Sequence, residues 1–255
     1  MEIDAYLQRI KYQGTLEPTV QTLRGLHQSH MLTTPFENLS IHYNQPIVLQ
    51  EALLYDKIVR HRRGGFCYEL NGLFAWLLQQ LGFQVQLLSA EVAGEGGCFS
   101  PAYDHLTLLL PCLEGADWLV DVGFGDSFQL PLHLQEDIAQ LGGDGRQYRL
   151  RTGVNDERDY WFLQQLKDQQ WTDQYRFTLQ SHPLTDFVAR CHYQQTSPES
   201  HFTRNRVCSL ATTIGRITLS DLRFITTIHG ERQERLLTSE EAYRSALYEY
   251  FGITI

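Results

Sequence analysis

Apolar residues recur at helical spacing through the first third of the chain, and the longest such run follows Cys67. Leu70, Leu73, Phe74, Leu77, Leu78 and Leu81 fall on one repeating face, which predicts a buried helix with Gly82 as its C′ stop. Upstream, residues 4–12 predict a short helix with Asp4 as N-cap and Tyr6, Leu7 and Ile10 inward. Residues 19–31 predict a second, carrying Val20, Leu23 and Leu26 together with His27 and His30. The two histidines are read as surface or hydrogen-bonded core residues. Pro35 restricts Thr34 and bends the chain. Residues 50–61 then bring Leu53, Leu54 and Ile58 together and lead into Arg62-Arg63-Gly64-Gly65.

The periodicity changes after Gly82. Residues 85–92 predict a strand, 93–100 a Gly-rich loop, and His105 opens a strongly apolar strand expected to end at Pro111. Strand-like runs follow at 118–125, 147–151, 160–166 and 176–179, with Gly142-Gly143-Asp144-Gly145 as a turn. The middle of the chain therefore reads as a barrel or a strongly curved antiparallel sheet. Residues 184–193 predict a short helix, and 206–210, 216–219 and 222–229 predict strands, with Gly230 in a hairpin turn. Thr238 and Glu241 form a capping-box pattern for a final helix that Gly252 ends. The fold class expected is α+β, with divisions at 1–83 (helical), 84–190 (β-rich) and 191–255 (mixed).

Composition narrows the functions. At 255 residues, 42% hydrophobic and 20% charged, the chain has enough apolar content for a large core. A net charge of −9 argues against non-specific nucleic-acid binding. No apolar run reaches the length of a membrane span, and the opening residues do not resemble a secretory leader. The five cysteines, at 67, 98, 112, 191 and 208, form no CxxC pair, so reduced thiols in the cytoplasm are expected.

Cys67 stands between two glycines and a core helix, with Arg62 and Arg63 nearby. The positive end of a helix favours an anion and is expected to lower the thiol pKa. Cys98 also lies beside glycines but precedes no strong helix, so it reads as a bystander. A thiol nucleophile needs a base, and the base an orienting group. His105, at the head of an apolar strand, suits the first role. Asp121 suits the second, because a carboxylate inside Trp118-Leu119-Val120-Asp121-Val122 must be paired. An aspartate facing histidine Nδ1–H is one solution, and the Tyr68 N–H is a candidate oxyanion donor. Glu37 is a candidate partner for Arg62 or Arg63.

The blocks TPFENLSIHY (34–43), RRGGFCYELNGLF (62–74), DHLTLLL (104–110) and LVDVGFGDS (119–127) resemble the arylamine N-acetyltransferases. YLQRI (6–10) and HFTRNRVCSL (201–210) extend the resemblance over nearly the whole chain, whose length is similar to prokaryotic-type members. The resemblance implies an N-terminal helical bundle, a central antiparallel β-barrel, a C-terminal α/β lid and a papain-like catalytic core. It implies a Cys67–His105–Asp121 triad, acetyl-CoA as cosubstrate, no metal, and a ping-pong transfer to arylamines, arylhydrazines or N-hydroxyarylamines. It further implies an acceptor pocket lined by Phe36, Phe124 and Phe202, and CoA contacts near Asn71, Thr107 and Gly125. Asp126 matches a pocket-edge position, where an acidic side chain would alter amine preference.

Three other readings share the same residues. A papain- or transglutaminase-like enzyme would use the triad on a peptide acyl donor. A zinc module would use Cys67, His105 and Asp121 as three ligands. A degenerate relative would bind CoA without turnover.

Overall fold

The computed structural model describes residues 1–155 and 158–255. Its N-terminal lobe comprises α1 (Ile3–Arg9), α2 (Val20–Thr33), the two-residue strand β1 (Phe36–Glu37), α3 (Leu39–His42), α4 (Glu51–Tyr55) and α5 (Cys67–Gln80). Tyr6 and Ile10 are fully buried, as their spacing predicts, although Glu2 rather than Asp4 occupies the cap of α1. The expected helix over 50–61 is broken. After α4 the chain continues as a π-turn, Asp56–Arg60, which rotates the apolar face by the extra residue. Leu54, Tyr55 and Ile58 point inward and Leu53 is half exposed.

α5 is the axis of this lobe. Leu70, Leu73, Phe74, Leu77 and Leu78 are fully buried, and the helix packs closely against the strand that begins at His105. Gly82 ends it at φ +88°, with the Phe83 N–H returning to Leu78 O at 3.0 Å. That bond closes a Schellman motif.

The central lobe is an eight-stranded antiparallel sheet in the order β5-β4-β3-β2-β9-β8-β7-β6. Its strands are β2 (Gln86–Val92), β3 (His105–Leu113), β4 (Ala116–Val120), β5 (Leu132–His133), β6 (Gln140–Leu141), β7 (Gln147–Asn155), β8 (Arg158–Lys167) and β9 (Gln170–Ser181). The two ends nearly meet. Gln140 in β6 bonds both the N–H (2.7 Å) and the carbonyl (2.8 Å) of His133 in β5. A side-chain amide thus replaces the missing backbone ladder and almost closes the barrel. Pro111 does not end β3 as expected. The strand runs on to Leu113, with the register slipping between Leu110 and Leu113, where a residue lacking an N–H is tolerated.

A turn (Leu184–Phe187) leads to α6 (Val188–Thr196), and a second, five-stranded sheet follows. It runs β1-β10-β11-β12-β13, built from β10 (Val207–Thr212), β11 (Gly215–Ser220), β12 (Arg223–Ile228) and β13 (Glu231–Leu236), with α7 (Glu240–Phe251) packed on it. Two connections cross the expected divisions. β1, from the N-terminal segment, is the edge strand beside β10. α6 spans residue 191, and its Cys191 packs into the helical cluster. Among the described residues no helix is long and apolar enough to cross a membrane.

Candidate active site

Cys67 is the first residue of α5, after Phe66. Glu69 Oε2 accepts from Phe66 N–H at 3.1 Å, so the glutamate three residues into the helix reaches back to its start. Gly64 explains part of the RRGG turn. A Cβ there would fall 1.9 Å from Pro35 O, so its role is to admit β1, whose Glu37 N–H donates to Gly65 O at 2.9 Å. Arg9 pins the turn from α1, donating to Ile58 O (3.0 Å), Thr33 O (2.7 Å) and Arg63 O (3.2 Å). Arg63 pairs with Glu37 at 2.8 Å, which selects it over Arg62, and Lys57 bridges Glu37 and Glu69.

β3 and the end of β4 bring His105 and Asp121 together. His105 Nε2 lies 2.6 Å from Asp121 Oδ2. A carboxylate oxygen accepts, so Nε2 carries the proton and Nδ1 is left basic. This corrects the expected Nδ1 contact. The remaining donors to Asp121 are Tyr175 Oη on Oδ2 (3.0 Å), and Asn71 Nδ2 and Gly123 N on Oδ1 (both 2.9 Å). Four donors fill about four lone-pair positions. Burial alone would raise this carboxyl, but the His105 ring, with Asn71 and Gly123, holds it below the usual carboxylate range.

Behind Asp121 stands His27. Its Nδ1–H donates to Gln129 O at 2.9 Å, and its Nε2 accepts from Asp121 N–H at 3.3 Å. Burial pushes His27 down to about 4, so the ring stays neutral and in one tautomer. His27 is thus a hydrogen-bonded core histidine set against the site.

Cys67 is 4% exposed. Burial pushes the thiol well above its ordinary range, and the Leu106 backbone offsets only part of that rise. Burial therefore acts against the lowering expected at a helix start. Removal of the thiol proton requires a neighbouring base. The loop after Asp121 lies directly against Cys67: a Cβ on Gly123 would sit 2.8 Å from Cys67 Cα.

The three phenylalanines are half-buried around this centre. Phe36 and Phe202 have ring centroids 6.1 Å apart, and Phe202 also meets Phe66 edge-on at 5.6 Å. Phe124 packs on the His105 ring at 5.0 Å and on Tyr175 at 5.0 Å. Gly125 has φ +88° and lies over the Phe36 ring. Asn71 and Thr107, expected near CoA, lie inside the protein. Both are fully buried. Asn71 holds Asp121 and Leu106 O through Nδ2 and Val122 N–H through Oδ1, while Thr107 donates to Val120 O. Their polar atoms are engaged within the protein, where the two residues brace the site. Sequence reasoning misses Tyr175, because a tyrosine in a β-like run looks like barrel core. Among the described residues no three His, Cys, Asp or Glu side chains converge as ligands for a metal.

A family model described as N-acetyltransferase matches residues 19–255. The chain is 34% identical to an arylamine N-acetyltransferase pineal gland isozyme of Gallus gallus, covering 100% of this chain and 95% of that protein. It is 33% identical to the arylamine N-acetyltransferase of Escherichia coli, covering 99% and 89%. The solved arylamine N-acetyltransferase of Salmonella typhimurium superposes with a TM-score of 0.92 at 32% identity, covering 98% of this chain and 90% of that one. The Mycobacterium marinum enzyme, solved in complex with CoA, superposes at 0.89 with 31% identity over 99% and 93%. With matches that run along the whole chain in both sequence and fold, the protein belongs to the arylamine N-acetyltransferase family.

Proposed function

We propose that this arylamine N-acetyltransferase works in two steps through an S-acetyl group on Cys67. His105 Nδ1 takes the thiol proton as sulfur attacks the thioester carbonyl of acetyl-CoA. The carbon–sulfur bond to CoA then breaks, and the protonated ring returns the proton to the leaving CoA thiolate. An arylamine, arylhydrazine or N-hydroxyarylamine next attacks the acetyl-cysteine, His105 accepts its proton, and the Cys67 thiol is restored. One thioester exchanged for another is nearly isoenergetic, so the acetyl group is stored without a deep trap.

The observation that carries this reading is the fully donated Asp121 carboxylate. Held by four donors, it fixes the His105 ring through Nε2 and stabilises the imidazolium that forms on proton transfer. Burial disfavours the free thiolate, so an adjacent base to receive the proton suits this thiol. The Tyr68 N–H, which precedes the helical hydrogen-bond ladder, is assigned to the carbonyl oxyanion. Phe36, Phe124 and Phe202 supply the apolar wall for the aromatic acceptor. All five cysteines are free, in keeping with the reducing cytoplasm.

Intact-protein mass spectrometry after mixing with acetyl-CoA, without an amine, tests the route. The wild type should gain one acetyl group that an arylamine discharges, and Cys67→Ala should gain none. An adduct that persists in Cys67→Ala would overturn the assignment. CoA release without any adduct in quenched samples would move the protein toward hydrolysis.

A further inference from the structure

Two arginines converge on one carboxylate at the seam between the barrel and the C-terminal sheet. Asp126 Oδ1 accepts from Arg146 Nη1 at 2.7 Å and from Arg216 Nε at 3.1 Å. The Asp126 side chain is 64% exposed and that of Arg216 only 11%. The cation is therefore built into the fold, while the carboxylate faces water. Arg146 also bonds Ser127 O (3.0 Å) and the Asp144 carboxylate. Arg216 Nη1 donates to Ser209 Oγ at 3.0 Å.

Several donors around this pair lack acceptors. Arg216 Nη2 and the hydroxyls of Ser127 and Tyr148 are buried without a partner among the described residues. Ser127 is bonded by Arg146 through its carbonyl, and the Tyr148 ring lies 5.8 Å from the Arg146 guanidinium. A buried donor without an acceptor is costly, and of the three residues Arg216 is the one that lines the cavity at this seam. A cavity of about 410 Å³ opens here, lined by Asp126, Arg146, Arg216, Gly215, Thr227 and His229 among others.

We propose that Arg146 and Arg216 form a subsite for a phosphate of acetyl-CoA, and that Asp126 is the internal carboxylate which this phosphate displaces. The proposal rests on the acetyl-CoA reading above. Guanidinium pairs match phosphate oxygens in geometry and charge. The subsite also lies near the nucleophile: Gly123 touches Cys67, and the three residues from there to Asp126 span at most ~11 Å. Of the substrates in the proposed reaction, acetyl-CoA alone carries phosphates, and its pantetheine arm has that reach.

The test compares acetyl-CoA with S-acetylpantetheine, a thioester without phosphates, using one uncharged arylamine as acceptor. Arg146→Gln should lower kcat/KM for acetyl-CoA about tenfold relative to S-acetylpantetheine, through KM, because a charge-assisted contact is lost. Asp126→Asn should move the same ratio the other way, since the competing carboxylate is gone. Arg216→Gln should act as Arg146→Gln does, and the two more exposed positions carry the test if that buried change unfolds the protein. Equal shifts for both donors, or none, would overturn the subsite while acetyl transfer stands. So would an effect seen only when the acceptor is an aminobenzoate, which would assign the arginines to an acceptor carboxylate. A wild type that uses neither thioester would overturn the acetyl-transfer reading and the subsite with it.

Discussion

At the scale of single residues, the site is organised around the saturation of Asp121. Its four donors come from four places in the chain: His105, Asn71, Gly123 and Tyr175. Removing one leaves the others to hold a buried charge. Tyr175→Phe keeps the ring against Phe124 and His105 and deletes only the hydroxyl. A hydrogen bond to a charged group contributes about 1.5–3 kcal/mol, so kcat/KM should fall at least ~10-fold. Thermal unfolding of the variant should show the fold intact, and activity equal to wild type would remove Tyr175 from the positioning role. Cys67, His105 and Asp121 are legible because each is the wrong residue type for its surroundings: a thiol between glycines and a helix, and polar groups at the ends of apolar runs. Tyr175 is not legible. It is one of thirteen tyrosines, and nothing along β9 reveals that its hydroxyl meets a carboxylate from the end of β4.

At the scale of elements, periodicity locates helices well where an apolar stripe and a terminator agree, as in α5 with Gly82. Errors arise where local hydrogen bonding has two solutions. For α7 the pattern favours Thr238 as cap, but Ser239 holds the position, its side chain accepting from Ala242 N–H. Ser239→Ala should therefore cost about 1 kcal/mol of stability, and Thr238→Ala close to none. Urea unfolding of the two variants separates them, and the reverse order would contradict the observed cap. β13 escapes the reading because all of its residues are exposed. An edge strand of charged residues carries no alternation to detect, and those charges protect the edge from pairing with another chain.

At the scale of the whole molecule, β1 binds the N-terminal lobe to the C-terminal sheet, and buried ion pairs brace β1 against the Cys67 turn. Glu37, Arg63, Lys57 and Glu69 form one network beneath the Cys67 turn. Acid should weaken the fold before this network protonates, and His27 is one reason. Burial holds it down to about 4 against an ordinary 6.5. The unfolded chain therefore binds a proton that the folded chain refuses. The stability this histidine contributes is complete above pH 6.5 and is lost as the pH falls toward 4. The loss has a slope of about 1.4 kcal/mol per pH unit for one proton. His30, buried and shifted the same way, steepens it. Glu69, raised by burial against the pull of Lys57, has the opposite dependence above its ordinary 4.5. Urea unfolding between pH 7 and 4.5 should show the decline, and His27→Gln should flatten it by about one proton. An unchanged slope would rule His27 out as its source.

Most of the helices and strands, the Cys67 helix and its stop, and Cys67, His105 and Asp121 as candidates could be read from residue types and spacing, while the family resemblance joined the three into one site. Those properties follow from periodic burial and from the chemistry of single side chains, which are local. Which ring nitrogen of His105 meets Asp121, and which of Arg62 and Arg63 meets Glu37, came only with the folded chain. So did the burial of Asn71 and Thr107 and the crossing of β1 into the far sheet. Hydrogen bonds between residues far apart in the chain depend on register and approach in three dimensions, to which periodicity is blind. The thiol of Cys67 makes the same point. A helix N-terminus favours its anion and the core that closes over it opposes that anion, and only the packed structure contains both.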